Sequence, residues 1–261
     1  MPIDYTYKSR DPALGQDANT LGERGGVVQS NKFTQRIGVN VADGIALMSG
    51  DNTVNSYTIL TAATTFNIVY DNALDGADTS GALVLSIEYI DDALDSKTAI
   101  HIIGSTGSDT TAFSGLGINN VAVVSSGGNR RNGGNIQINA SSNGSRQSFI
   151  NAGISLSNFG VIHVGANQKV VVKYIVLYGF KEQGGSSPVI RSQFTFFNRF
   201  ANTYYIAGDT YIDTSLTNHY QQADPGGALL GPGTIVEILT QTTSNGATAA
   251  AGITYLTYEN P

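Results

Sequence analysis

Carboxylates are the chemistry-bearing residues that cluster most tightly in this chain. Asp71, Asp75 and Asp78, with Asn72, share one stretch, and Asp91, Asp92 and Asp95 follow a strand-like run shortly after it. Such oxygen donors could hold calcium, but the stretch lacks the alternating ligand spacing and closing glutamate of an EF-hand. The expectation is therefore a solvated loop without calcium at the first cluster. At the second it is a charged strand terminator that keeps an edge soluble. His101, His163 and His219 are widely separated, and the first two fall inside strand-like runs, where a hydrogen-bonded structural histidine is expected and not a zinc ligand. Gly127, Gly128, Gly133 and Gly134 flank Arg130 and Arg131. A phosphate cradle would need a following helix to supply its dipole, and none follows, so a flexible hairpin loop is expected there. No G-x-S-x-G elbow, phosphate loop or H-E-x-x-H occurs, and no two carboxylates single themselves out as a glycosidase pair. The residues point to no enzyme and no cofactor.

Composition narrows the class further. The 261 residues carry 31 glycines, no cysteine, only 13% charged residues and a net charge of −6. Low charge with abundant Ser, Thr and Asn fits strand surfaces covered by hydroxyls and amides. The acidic balance offers no extended basic face for phosphates, which excludes a nucleic-acid partner. Without cysteine, robustness must come from packing or assembly. Residues 1–15 show neither the basic nor the apolar segment of a signal peptide, so the sequons at Asn139 and Asn143 are discounted as glycosylation sites. No apolar run approaches the roughly 20 residues of a membrane span.

The elements that position these residues read as strands. The longest is the run at residues 165–179, opened by Gly165 and closed by Gly179, with Lys169-Val-Val-Val-Lys-Tyr-Ile-Val-Leu-Tyr178 between them. Its β-branched density favours a strand. Strict alternation puts Val170, Val172, Tyr174 and Val176 on one face, and Lys169, Val171, Lys173 and Ile175 on the other. Two apolar faces imply a central strand covered by a second sheet on one side and by another domain or subunit on the other. Shorter strand-like runs punctuated by turns fill the rest, among them Ala82-Leu-Val-Leu-Ser-Ile-Glu-Tyr-Ile90 and Asn135-Ile-Gln-Ile-Asn-Ala140. A single helical turn at residues 110–116 is the one departure. The fold expected is all-β, an antiparallel β-sandwich of jelly-roll type. Its organisation is an N-terminal extended arm (1–35), a first β domain (36–118) and a second β-sandwich (119–261). The arm, polar and turn-rich, is expected to need another chain to hold it.

The aromatic band Phe194-Thr-Phe-Phe-Asn-Arg-Phe200, with Tyr204 and Tyr205, has rings of both parities, so Phe197 points opposite to Phe194 and Phe196. Phe197, Tyr204 and Tyr205 are expected at a subunit interface, and the tyrosines also suit a shallow sugar-stacking surface. Arg130 and Arg131, conspicuous on an acidic chain, are expected to make inter-subunit salt bridges.

The order Asp75-Gly-Ala-Asp-Thr-Ser-Gly-Ala-Leu-Val-Leu-Ser-Ile-Glu-Tyr-Ile-Asp91, then Asn119-Asn-Val-Ala-Val, then Gly134-Asn-Ile-Gln-Ile, then the strand at Lys169, resembles a family of virion structural proteins. These occur in tailed phages of marine bacteria, with relatives in large algal viruses. The resemblance spans about residues 65–261. The chain departs from the family pattern with Gly165-Ala-Asn-Gln-Lys169 in place of a P-A-G-K-like turn and Asp78-Thr-Ser-Gly81 in place of a glycine pair. It implies a β-sandwich subunit displayed on a virion without catalytic chemistry: a capsid decoration, spike or fibre-base protein partnered by copies of itself and other virion proteins, without a membrane. The alternative reading is a carbohydrate-binding host-attachment module.

Overall fold

The computed structural model describes residues 27–51, 53, 57–76, 79–104, 107–181, 188–215, 220–223 and 228–259. Among these, every element but a short 3-10 turn at Val41–Asp43 is a β-strand. Among the described residues no helix is long and apolar enough to cross a membrane.

The strands build two antiparallel β-sandwiches. The terminal sandwich is made from both ends of the described chain. Its sheet A runs in the order β1 (Val27–Val39), β17 (Ala247–Glu259), β11 (Gln168–Lys181), β14 (Tyr220–Ala223), with β15 (Leu229–Leu230) also on β11. Its sheet B runs β10 (Val161–His163), β16 (Thr234–Thr242), β12 (Val189–Asn198), β13 (Thr203–Asp213), with β2 (Ala46–Leu47) on β16. Val170, Val172, Ile175 and Leu177 of β11 meet Ile190, Phe194, Val236 and Ile238 of sheet B in one buried cluster. Each such side chain taken from water is worth about 1.5–3 kcal/mol, so this interleaving is what holds the two sheets face to face.

The central sandwich is inserted between β2 and β10. Sheet C has the order β6 (Ser108–Gly115), β3 (Thr64–Tyr70), β8 (Ile136–Ala140), β9 (Arg146–Ile150), and sheet D the order β5 (Ser96–Ile102), β4 (Ala82–Ile90), β7 (Gly117–Ser126). Phe66, Ile68, Ile136 and Ile138 of sheet C pack on Leu85, Ile87, Ile118 and Val121 of sheet D.

Three expectations change. The strand partners cross the boundaries drawn at 35/36 and 118/119: β1 begins at Val27 and pairs with the last strand, while β7 pairs with β4 and β8 with β3, β9 following on β8. Non-local pairing of this kind leaves no mark in the linear sequence. Residues 1–26 of the expected arm lie outside the described residues. The helical turn at 110–116 is instead the end of β6 and the turn into β7. In the long strand β11 a bulge interrupts the alternation, because Val172 pairs with Tyr255 but Tyr174 pairs with Thr254. Lys173 is the extra residue, so beyond it the faces exchange. Val170, Val172, Ile175 and Leu177 point to the core, and Tyr174, Tyr178 and Phe180 point outward, 38%, 37% and 48% exposed.

Candidate interaction surfaces

The two sandwiches meet along a junction built from cations and aromatic rings. β1 turns a polar row inward. Its Lys32, Thr34 and Arg36 sit opposite Ile253, Ala251 and Ala249 and are all buried. The Thr34 hydroxyl lies 3.0 and 2.9 Å from the Met48 and Asn158 carbonyls, its single proton shared between them. Lys32 Nζ donates to the carbonyls of Val161 in sheet B and Asn119 in sheet D, so one amine joins three sheets. Burial lowers its pKa from 10.5 to about 7, partly offset by Glu88. A neutral amine retains two N–H bonds, enough for both carbonyls. Asn119 also closes the short strand β10, accepting from His163 N at 2.6 Å and donating to His163 O at 2.9 Å. His163 is buried and kept neutral. Burial, then Arg199 and Lys32, lower its pKa to about 3, and its Nε2 has no partner.

On the outer face of sheet B, Phe197, Ile235 and Val161 pack with Phe159 and with Phe149 of β9, which seals the junction. Arg199 donates across it to the Leu60 and Leu116 carbonyls, and Arg146 of β9 binds Asp51 at 2.7 Å.

The carboxylate loop turns out to be a staple. Asp75, 2% exposed, accepts from the backbone amides of Ala82 and Gly133 at 2.7 Å and of Gly134 at 2.8 Å. Asp71 accepts from Asn135 N at 2.8 Å and Asn135 Nδ2 at 2.9 Å. Gly127, Gly133 and Gly134 are therefore tightly packed, while Gly128 faces open space: a Cβ on Gly134 would lie 2.2 Å from Asp71 Oδ1, and one on Gly127 2.1 Å from Thr79 O. Asp78 lies outside the described residues. Asp91 accepts from the amides of Ala93 and Asp95 and faces Lys97, closing the β4–β5 turn. Among the described residues no three His, Asp or Glu side chains are grouped to hold a metal. His101 lies 3.5 Å from Asp109, and His219 is outside the described residues.

The five residues expected at an interface do not form one surface. Arg130, in the left-handed region at φ 57°, and Arg131 are exposed at the tip following β7. Phe197 is 6% exposed and belongs to the junction within the chain, where its side of sheet B meets β9; Tyr204 covers its ring at 4.6 Å. Tyr204 and Tyr205, 59% and 58% exposed, stand on the edge strand β13 beside Ile206 at 65%.

The largest aliphatic exposure is elsewhere, on the outer face of sheet D. Ile100 and Ile102 of β5 are 64% and 73% exposed, Val124 of β7 is 55%, and Leu156, bridged to Ala122, is 41%. Register places Ile100 opposite Ser86 and Ser86 opposite Ala122, so one row crosses the sheet from Ile100 to Leu156. Beside it Ile102 is opposite Val84. β5 pairs with β4 alone among the described strands. Sequence reading missed this face, although the same-parity isoleucines in Ala99-Ile-His-Ile102 carry its signal.

No protein-family model and no curated protein matches the chain. Among solved structures, the N-terminal CBM22-1–CBM22-2 tandem domain of Paenibacillus barcinonensis Xyn10C aligns over 91% of this chain and 99% of its own, at 9% identity and a TM-score of 0.23. The infectious bursal disease virus VP2 subviral particle aligns over 89% of this chain and 76% of its own, at 6% identity and a TM-score of 0.21. At these scores neither likeness carries weight, and function is argued from the chain's own geometry.

Proposed function

We propose that this chain is a non-enzymatic structural subunit that assembles through the outer face of sheet D with copies of itself, on or near a virus particle. The observation that carries this reading is the row of exposed aliphatic side chains on that face, Ile100, Ile102, Val124 and Leu156, ending in an edge strand. Monomers rarely leave contiguous apolar patches in water, and an open strand edge with isoleucines on it invites pairing. Burying it in a symmetric contact removes both liabilities at once. The place on a virion, as a decoration, spike or fibre-base protein, draws on the resemblance of residues 65–261.

Mass photometry of the purified chain tests the reading. The wild type is expected as a discrete oligomer, and the double variant Ile100→Asp with Ile102→Asp as a monomer that still melts cooperatively, at a temperature lowered only by the lost association. A monomeric wild type, or an oligomer indifferent to both substitutions, would overturn it.

A further inference from the structure

The outer face of sheet A contains an opening that the fold does not require. Gly252 lies in the interior of β17, between Phe33 of β1 and Val176 of β11. Glycine weakens a strand interior, and where it is retained another molecule often comes close to the backbone. Neither backbone nor packing calls for it here. Gly252 is not among the glycines with positive φ. A Cβ built on it meets nothing within 4 Å, whereas one on Gly179 of the neighbouring strand would meet Ile190 at 2.9 Å. Valine or threonine would fit and would favour the strand.

The missing side chain leaves a notch with aromatic walls. Phe33 stands on one side, 45% exposed; on the other Val176 lies directly opposite Gly252, with Tyr174 and Tyr178 flanking it along β11. Ala250, opposite Tyr178, continues the floor. Tyr178 and Phe180 hold their rings parallel within 6°, at 6.4 Å. At the other end the buried Thr254 hydroxyl, opposite Tyr174, donates to the exposed Asn31 amide at 2.6 Å, and Lys173 stands at the bulge beside Tyr174.

We propose that this notch binds one ring of a neutral saccharide, with an apolar face of the sugar against Gly252 and the aromatic walls and its hydroxyls toward the exposed Asn31 amide. Flat amphipathic rings beside neutral hydrogen-bonding groups match a pyranose, which presents C–H faces and O–H edges and carries no charge to be neutralised. The proposal puts saccharide recognition on sheet A and not on Tyr204 and Tyr205; its Phe33 wall borders a pocket shared with Leu156 at the end of the sheet D row.

The test is an array of neutral hexose and N-acetylhexosamine oligosaccharides probed with the full chain, each hit titrated by calorimetry. The wild type is expected to bind a restricted set. Gly252→Val is expected to melt at the same temperature or higher and to lose at least tenfold in affinity. Tyr178→Ala, which truncates a partly exposed ring, is expected to lose affinity similarly, and Ile100→Asp to lose none. Absence of binding across the array, or binding that survives both Gly252→Val and Tyr178→Ala, would overturn the proposal. So would a change of oligomeric mass in Gly252→Val, which would make the face a contact between copies.

Discussion

Asp75 shows how a residue type that suggests one chemistry can perform another. Its two oxygens take three backbone amides, two of them from Gly133 and Gly134. Replacing it leaves buried donors without acceptors at about 1–3 kcal/mol each. Asp75→Ala is expected to lose about 3–5 kcal/mol in urea denaturation, with Asp75→Asn recovering part of it. The sequence displays the carboxylates but not their partners, which join only when the loops meet; hence the cluster reads as a candidate cation loop. Lys32 is as obscure in the sequence, lying in what reads as a polar arm. In the unfolded chain it keeps its proton up to about 10.5, but in the folded chain it releases it near 7. Between those values the unfolded state holds more protons, so stability rises with pH, at most about 1.4 kcal/mol per pH unit, while below 7 the cost of burying the charge is present in full. Denaturation at pH 7 and pH 9 is expected to show that gain in the wild type and not in Lys32→Met. Equal gains in both would remove Lys32 as its source.

At the level of elements, β-class and most strands were legible, because β-branched runs between turn residues are a local signal. Facing was less so. In β1 the polar residues Lys32, Thr34 and Arg36 go inward and Phe33 outward, since the loops they bind close the sandwich edge. In β11 the bulge at Lys173 exchanges the faces. A one-residue register slip moves every following side chain to the opposite face. Deleting Lys173 removes only the bulge and keeps Ile175 and Leu177 inward, so the variant is expected to fold with a loss of about 1–2 kcal/mol. Deleting Val176 sends Leu177 outward and is expected to abolish soluble, cooperatively melting protein. Circular dichroism melts of the two variants make the comparison, and equal behaviour would contradict the bulge assignment.

For the whole molecule, the interleaving of two sandwiches is what the linear sequence concealed. Their boundary lies between strand partners and not at a change in composition, so no local cue marks 118/119 as interior to a unit. Ring parity in the aromatic band points Phe197 away from Phe194, but the surface it meets is Phe149 of the same chain and not the subunit interface expected. Among the described residues the aliphatic face of sheet D and the aromatic face of sheet A are both exposed, as are Tyr204, Tyr205 and Ile206 of β13. A subunit with two such faces can join its neighbours through one and still offer the other to a ligand.

The placement of β17 between β1 and β11 sets an order of events during synthesis. Strands β3 to β9 can close the central sandwich while later residues are still inside the ribosome, whereas the first strand waits unpaired for the last one to emerge. Limited proteolysis of stalled nascent chains is expected to find a protected central fragment well before β1 resists cleavage. A chain cut off before residue 247 would then carry a finished sheet D on an unfinished body, and, if copies assemble through that sheet as proposed, would be a natural candidate for poisoning their assembly.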